Sequence, residues 1–142
     1  MVNSKSFVAD CSITVSWFFY DERNKYSEFT LDYCNKFRAI VPPLWKLEVS
    51  NAILIAEKRN RINTADTVRI LEFLNSLPID ISNFNFSIHE ITQAARSNNL
   101  TSYDATYLLT AMHTGLVMAT KDKALIRACN DNGVPIFKGN IN

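Results

Sequence analysis

Short apolar runs alternate with longer stretches whose apolar residues recur at helical spacing, and this alternation limits the chain's choices more than any other feature. Ser6–Ala9 is a short apolar run that Asp10 interrupts, and Ala39–Val41 is another, closed by Pro42-Pro43. Pro78–Ile81, Leu116–Ala119 and Val134–Phe137 have the same strand-like character. Between them, helices are expected over Ser12–Tyr20, Lys25–Arg38, Leu44–Lys58, Thr64–Ser76, Ser87–Ser97, Ser102–His113 and Lys121–Asn130. Asn60 lies near the end of the third helix, and Gly115 and Gly133 supply stop signals. Strand and helix in alternation imply a central parallel sheet covered by helices on both faces, a three-layer α/β/α sandwich. In such sheets the ligand crevice lies beyond the carboxyl ends of the strands. Acidic residues just after strands are therefore candidates for function.

Composition narrows the class. At 142 residues the chain suits one domain spanning residues 1–142, large enough to fold without a disulfide or metal staple. The formal net charge of +1 excludes a strongly basic, histone-like binder but leaves room for a local basic groove. Cys11, Cys34 and Cys129 are odd in number and unpaired in spacing, so they read as free thiols of a reducing cytoplasm rather than a disulfide or zinc site. No apolar run approaches the roughly 20 residues of a membrane helix. Met1-Val2-Asn3-Ser4-Lys5-Ser6 lacks the apolar stretch of a signal peptide, and a cytoplasmic location is expected. The three glycines form no phosphate-binding loop.

Four carboxylates carry the functional argument. Asp10 follows a strand run directly, and Asp122 follows Leu116-Val117-Met118-Ala119 after Thr120 and Lys121. Either can be a helix cap or a site acid. Asp104 stands three residues after Thr101, a capping-box variant, yet it shares a helical face with Leu108 and Ala111. Glu48 falls in line with Leu44, Ala52 and Ile55, an apolar row on which a carboxylate is costly unless paired or metal-bound. A buried ion pair with a lysine or arginine is the alternative there. If the four converge, each raises the others' pKa, and a divalent cation removes that penalty. Hard oxygen donors without nearby His or Cys favour Mg²⁺ or Mn²⁺ over zinc. Metal-activated water would then hydrolyse a phosphodiester, with one ion or two.

The acids sit in segments that resemble the PIN-domain family, and within it the VapC-type toxin ribonucleases of type II toxin–antitoxin systems. Phe7-Val8-Ala9-Asp10-Cys11-Ser12 followed by Trp17-Phe18 is similar to the family's opening strand, first aspartate and first helix. Val41-Pro42-Pro43-Leu44-Trp45-Lys46-Leu47-Glu48-Val49-Ser50-Asn51-Ala52 resembles its second motif. Thr101-Ser102-Tyr103-Asp104-Ala105-Thr106-Tyr107-Leu108 resembles the third, and Met118-Ala119-Thr120-Lys121-Asp122-Lys123-Ala124-Leu125 the fourth. The resemblance implies a Mg²⁺- or Mn²⁺-dependent endoribonuclease, a homodimer, and a small VapB-like antitoxin that blocks the site. It also implies that the first helices help form the groove for an antitoxin helix. Two departures stand out. Cys11 occupies a position where alanine or threonine is commoner, and Lys123-Ala124 supply no fifth acid after Asp122, which leaves a second metal open.

Other residues have two readings each. Ser12, Ser102 and Thr120 can orient the acids or cap helices, with capping favoured for Ser102 and Thr120. Lys46, Lys121, Lys123 and Arg127, and separately Lys58, Arg59 and Arg61, can follow an RNA backbone or be solvated surface. Trp17, Phe18, Phe19 and Tyr20 can stack on RNA, but packing in the core or against a partner is the expectation. His89 and His113 are assigned no catalytic role. The competing class is a PIN-like module that binds RNA or protein without cutting. A haloacid dehalogenase-like site would need an acid where Ser12 stands, and a receiver domain an acidic pair where Asp10 stands alone.

Overall fold

The structure, a computed structural model, describes residues 5–138. Its elements run β1 (Phe7–Ala9), α1 (Cys11–Phe18), a 3₁₀ turn (Tyr20–Glu22), α2 (Lys25–Phe37), β2 (Ala39–Val41), α3 (Leu44–Lys58), α4 (Thr64–Ser76), β3 (Ile79–Ile81), α5 (Ile88–Asn98), α6 (Ser102–Thr114), β4 (Val117–Ala119) and α7 (Lys123–Asp131). The first four residues of the Met1–Ser6 segment lie outside the described residues.

All strand pairs are parallel, in the order β3-β2-β1-β4. Phe7 and Val8 face Ala39 and Ile40 on one side, and Phe7, Val8 and Ala9 face Val117, Met118 and Ala119 on the other. β1 and β2 are buried throughout, which is why they read as unbroken apolar runs rather than alternating ones. β3 forms the outer edge, and its Ile81 is 37% exposed. From β1 the chain steps first to β2 and β3, then returns to place β4 on β1's other flank. Right-handed crossovers of opposite direction put α1–α4 on one face and α5–α7 on the other. The packing of α1 on α2 and α3, and of α6 on α5 and α7, agrees. The result is the three-layer α/β/α sandwich, and its topological switch lies between β1 and β4.

Polar groups inside the layers are matched. The indole N–H of Trp17 donates to Thr30 Oγ1 at 3.0 Å, and that of Trp45 to Thr14 Oγ1 at 2.9 Å. Helix ends follow local chemistry. Asn63 with Asp66 and Ser87 with Glu90 form capping boxes, and Asn99 ends α5 in the left-handed region. Gly115, at φ +72, ends α6 where a side chain would be strained.

Three expectations change. Val134–Phe137 is not a strand but a single bridge between Ile136 and Met118. Pro135 has no N–H, so its carbonyl alone pairs, accepting from Met118 N at 2.9 Å while Phe137 N donates to Met118 O at 2.7 Å. The first helix stops at Phe18, because Phe19 turns extended and buries its ring beneath the Arg61 guanidinium. The last helix begins at Lys123 rather than Lys121, because Asp122 is its cap.

Candidate active site

Asp10 follows β1 at the switch point, and its N–H donates to Ala119 O of β4 at 3.3 Å. Its side chain is 3% exposed. Oδ1 accepts from Ile13 N at 3.0 Å and from the Ser12 hydroxyl at 2.7 Å, and Oδ2 accepts from the Thr120 hydroxyl at 2.5 Å. Asp10 is thus both the cap of α1 and the centre of a network that crosses to the loop after β4. Burial pushes its carboxyl up to about 6 against the pull of these donors, and the Asp104 charge adds to the rise.

Thr120 and Ser12 knit the two loops together. Asp122 N donates to Thr120 Oγ1 at 3.0 Å, and Lys121 N donates to Ser12 Oγ at 3.0 Å. The capping expected of Thr120 is not its role: Asp122 caps α7, accepting from Leu125 N at 3.0 Å, while the buried Thr120 hydroxyl serves Asp10. Ser102 corrects differently. It is exposed, and Thr101 caps α6 by accepting from Asp104 N at 3.1 Å.

The other acids are half-buried. Burial raises the Asp104 carboxyl, the charges of Asp122 and Glu48 raise it further, and the Thr101 hydroxyl opposes them. The charge of Asp104 thus acts on Asp10, and those of Asp122 and Glu48 act on Asp104, while Asp10 and Asp122 follow β1 and β4. The expected apolar setting of Glu48 needs correction. The buried stripe of α3 is Trp45, Val49, Ile53 and Ala56, whereas Ile55 in the Glu48 row is 40% exposed. Glu48 therefore sits on the flank of its helix. Its partner is a phenol rather than a cation, since Tyr107 Oη donates to Glu48 Oε1 at 2.6 Å. Burial and that bond push the Tyr107 phenol far above its ordinary range, so it stays a donor.

Tyr107 was not anticipated. Its spacing of three from Asp104 places both near one face of α6, but nothing in the sequence ties it to a residue 59 positions earlier. The Cys11 thiol is pushed up to about 12, by burial first and then by Glu48, Asp10 and Glu22. It stays protonated at neutral pH and adds no thiolate.

The basic candidates divide. Lys121 Nζ donates to Glu22 O at 2.9 Å, pinning the loop that carries Asp122 to the 3₁₀ turn. Lys123 and Arg127 are exposed helix surface, and Lys46 lines a groove between α3, α4 and β3. Arg61 is spoken for by Asp21 at 2.8 Å and Glu22 at 3.4 Å. Trp17 and Phe19 are core residues as expected, while Tyr20 is 83% exposed. His113 lies among Phe84, Phe86 and Glu90, apart from the acids.

Among the described residues, no three His, Cys, Asp or Glu side chains form a ready-made metal cage. The donor chemistry nonetheless fits a hard divalent cation: the candidates are four carboxylates, Cys11 adds no thiolate, and at least two of the acids are destabilised by their neighbours' charge.

Comparison with known proteins agrees with this geometry. The PIN domain family model matches residues 7–131. Among solved structures, the chain is similar to that of PAE2754 from Pyrobaculum aerophilum, with a TM-score of 0.68 and 21% identity over 87% of this chain and 85% of that one. Comparison with curated proteins gives no match. PIN domains are generally nucleases and typically use a divalent metal. The match over residues 7–131, on a parallel sheet with its switch point between β1 and β4, places this chain in the PIN domain family.

Proposed function

We propose that the protein is a Mg²⁺- or Mn²⁺-dependent endoribonuclease, the toxin of a VapBC-type toxin–antitoxin pair, acting on RNA phosphodiesters in the cytoplasm. The observation that carries the nuclease reading is the hydrogen-bonded junction of Asp10, Ser12, Thr120 and the Asp122 amide at the β1–β4 switch point, to which Asp104 and Glu48 are linked by their charges. These four carboxylates are the residues that would hold the cation. When bound, such a cation lowers the pKa of a water and neutralises charge developing on a phosphate. The chain's own work is positional: Ser12 and Thr120 orient Asp10, Tyr107 orients Glu48, and Asp122 is set by its cap bond and by Thr120.

The antitoxin reading draws support from a groove of about 750 Å³ beside the 3₁₀ turn. Its walls include Trp17, Phe18, Phe19, Ile62, Ile70 and Phe73, with Arg61 and Asp66 among its charged groups. An amphipathic helix of a VapB-like partner suits such a lining. Homodimerisation belongs to the same proposal. No helix among the described residues is long and apolar enough to cross a membrane.

The test is cleavage of RNA with Mg²⁺ or Mn²⁺, by wild type and by Asp10→Asn and Asp104→Asn. The proposal requires activity that EDTA abolishes and that both variants lack. Cleavage indifferent to EDTA overturns the metal-dependent reading. RNA binding without cleavage under any metal favours a non-catalytic module. Inhibition by the product of a short neighbouring reading frame tests the toxin assignment.

A further inference from the structure

We propose that Tyr107 is a positioning residue that presents Glu48 to the divalent cation, and that its hydroxyl, not its ring, sets how tightly the site binds metal. The inference rests on the metal-dependent reading of the carboxylates.

The observation is a division of labour on one helix. α6 supplies Asp104 as a donor and, three residues on, the phenol that holds an acid of another helix. Tyr107 is 1% exposed, packed within the core run of α6 from Ala105 to Ala111. A buried aromatic at such a position needs no hydroxyl to pack; Phe would fill the same space, and an unpaired hydroxyl there would be costly. The hydroxyl is satisfied, among the described residues, by one atom only, Glu48 Oε1 at 2.6 Å. Among the described residues, Glu48 Oε2 has no hydrogen-bond partner and remains available as a metal ligand.

Glu48 differs from Asp10 in needing this. Asp10 is one residue beyond a central strand and accepts from a main-chain N–H and two hydroxyls. Glu48 has a longer side chain, is half-buried on a helix flank, and has the Tyr107 bond alone. Without it, the carboxylate regains rotamer freedom that metal binding must remove. Groups that orient metal ligands in this way typically change affinity by about 10- to 100-fold when removed.

The test measures Mn²⁺ binding by calorimetry, with cleavage activity as a second readout. The proteins are wild type, Tyr107→Phe, Glu48→Gln, the double variant, and Tyr103→Phe as a control on the exposed side of α6. Tyr107→Phe keeps the ring and leaves a half-exposed carboxylate that water can solvate, so its fold is retained; near-UV circular dichroism checks this. Expected is about tenfold or more weaker Mn²⁺ binding by Tyr107→Phe, with kcat largely restored at saturating Mn²⁺ and no change in KM for RNA. In the Glu48→Gln background the same substitution should have no further effect on binding. Tyr103→Phe should match wild type. Unchanged Mn²⁺ affinity in Tyr107→Phe, or an equal effect with and without Glu48, overturns the inference while leaving the nuclease proposal standing. Wild type that binds no Mn²⁺ and cuts no RNA overturns the proposal itself.

Discussion

The candidate site has two halves built on different terms. In the strand-borne half, Asp10 is buried beyond the end of β1, and its donors come from residues two and three positions away and from the loop after β4. In the helix-borne half, Glu48 and Asp104 are half-buried on α3 and α6 and rely on single bonds from Tyr107 and around Thr101. The first half is held by sheet pairing and by donors close in sequence. The second depends on how two helices of opposite layers pack. Enclosure has an electrostatic cost in both halves: burial raises Asp10 to about 6, and burial is also the first cause that raises Asp104.

The largest test of this comparison is loss of an acid from each half. Asp10→Asn and Asp104→Asn should each reduce RNA cleavage by about a thousandfold or more, equivalent to about 4 kcal/mol, if the four carboxylates act as one unit. Initial rates at saturating Mg²⁺ measure this, and a variant retaining more than a tenth of wild-type activity would remove its residue from the unit.

Stability against pH separates the halves next. The Asp10 carboxyl rises from 3.8 to about 6 on folding, so the folded protein keeps this proton where the unfolded chain has lost it. Its effect is absent below about pH 4 and grows as destabilisation while pH rises through 6. The full difference is about 3 kcal/mol. Urea unfolding in EDTA at pH 4.5 and 7.5 should show wild type losing about 2 kcal/mol relative to Asp10→Asn, since about a third of the difference is already present at pH 4.5. Equal slopes for the two proteins would mean that Asp10 is already relieved of its burial.

Within the strand half, Thr120→Val removes a buried hydroxyl that serves Asp10 and the Asp122 amide together. A loss of about 1–3 kcal/mol in stability is expected, with activity lowered about 10- to 100-fold. Thermal unfolding and cleavage assays check both. At the small end, Ser102→Ala should stay within about 0.5 kcal/mol of wild type with activity within about twofold, because Ser102 is exposed and Thr101 holds the cap. A larger effect would place Ser102 in contact with substrate.

Much of the fold was legible because its signals are local. Ala39–Val41, Leu44–Lys58 and Thr64–Ser76 have the boundaries expected from apolar spacing and Pro42-Pro43. The failures have local causes that pattern reading weighed too lightly. Pro135 cannot donate, so the final run makes a bridge instead of a strand, and Phe19 breaks the first helix to bury its ring. For the acids, the capping alternative is realised at two positions, since Asp10 and Asp122 each cap a helix, and it leaves their proposed site role open to test.

The sequence by itself determined the strand–helix alternation, the parallel sheet and the order of the four acids, because periodicity, caps and turn residues act over a few positions. Only the tertiary structure decided who holds whom. Thr120 reaches Asp10 across 110 positions and Tyr107 reaches Glu48 across 59, through contacts made when β4 docks beside β1 and α6 closes over the sheet. Such pairings leave no periodic trace, because they depend on where helices from distant parts of the chain come to rest.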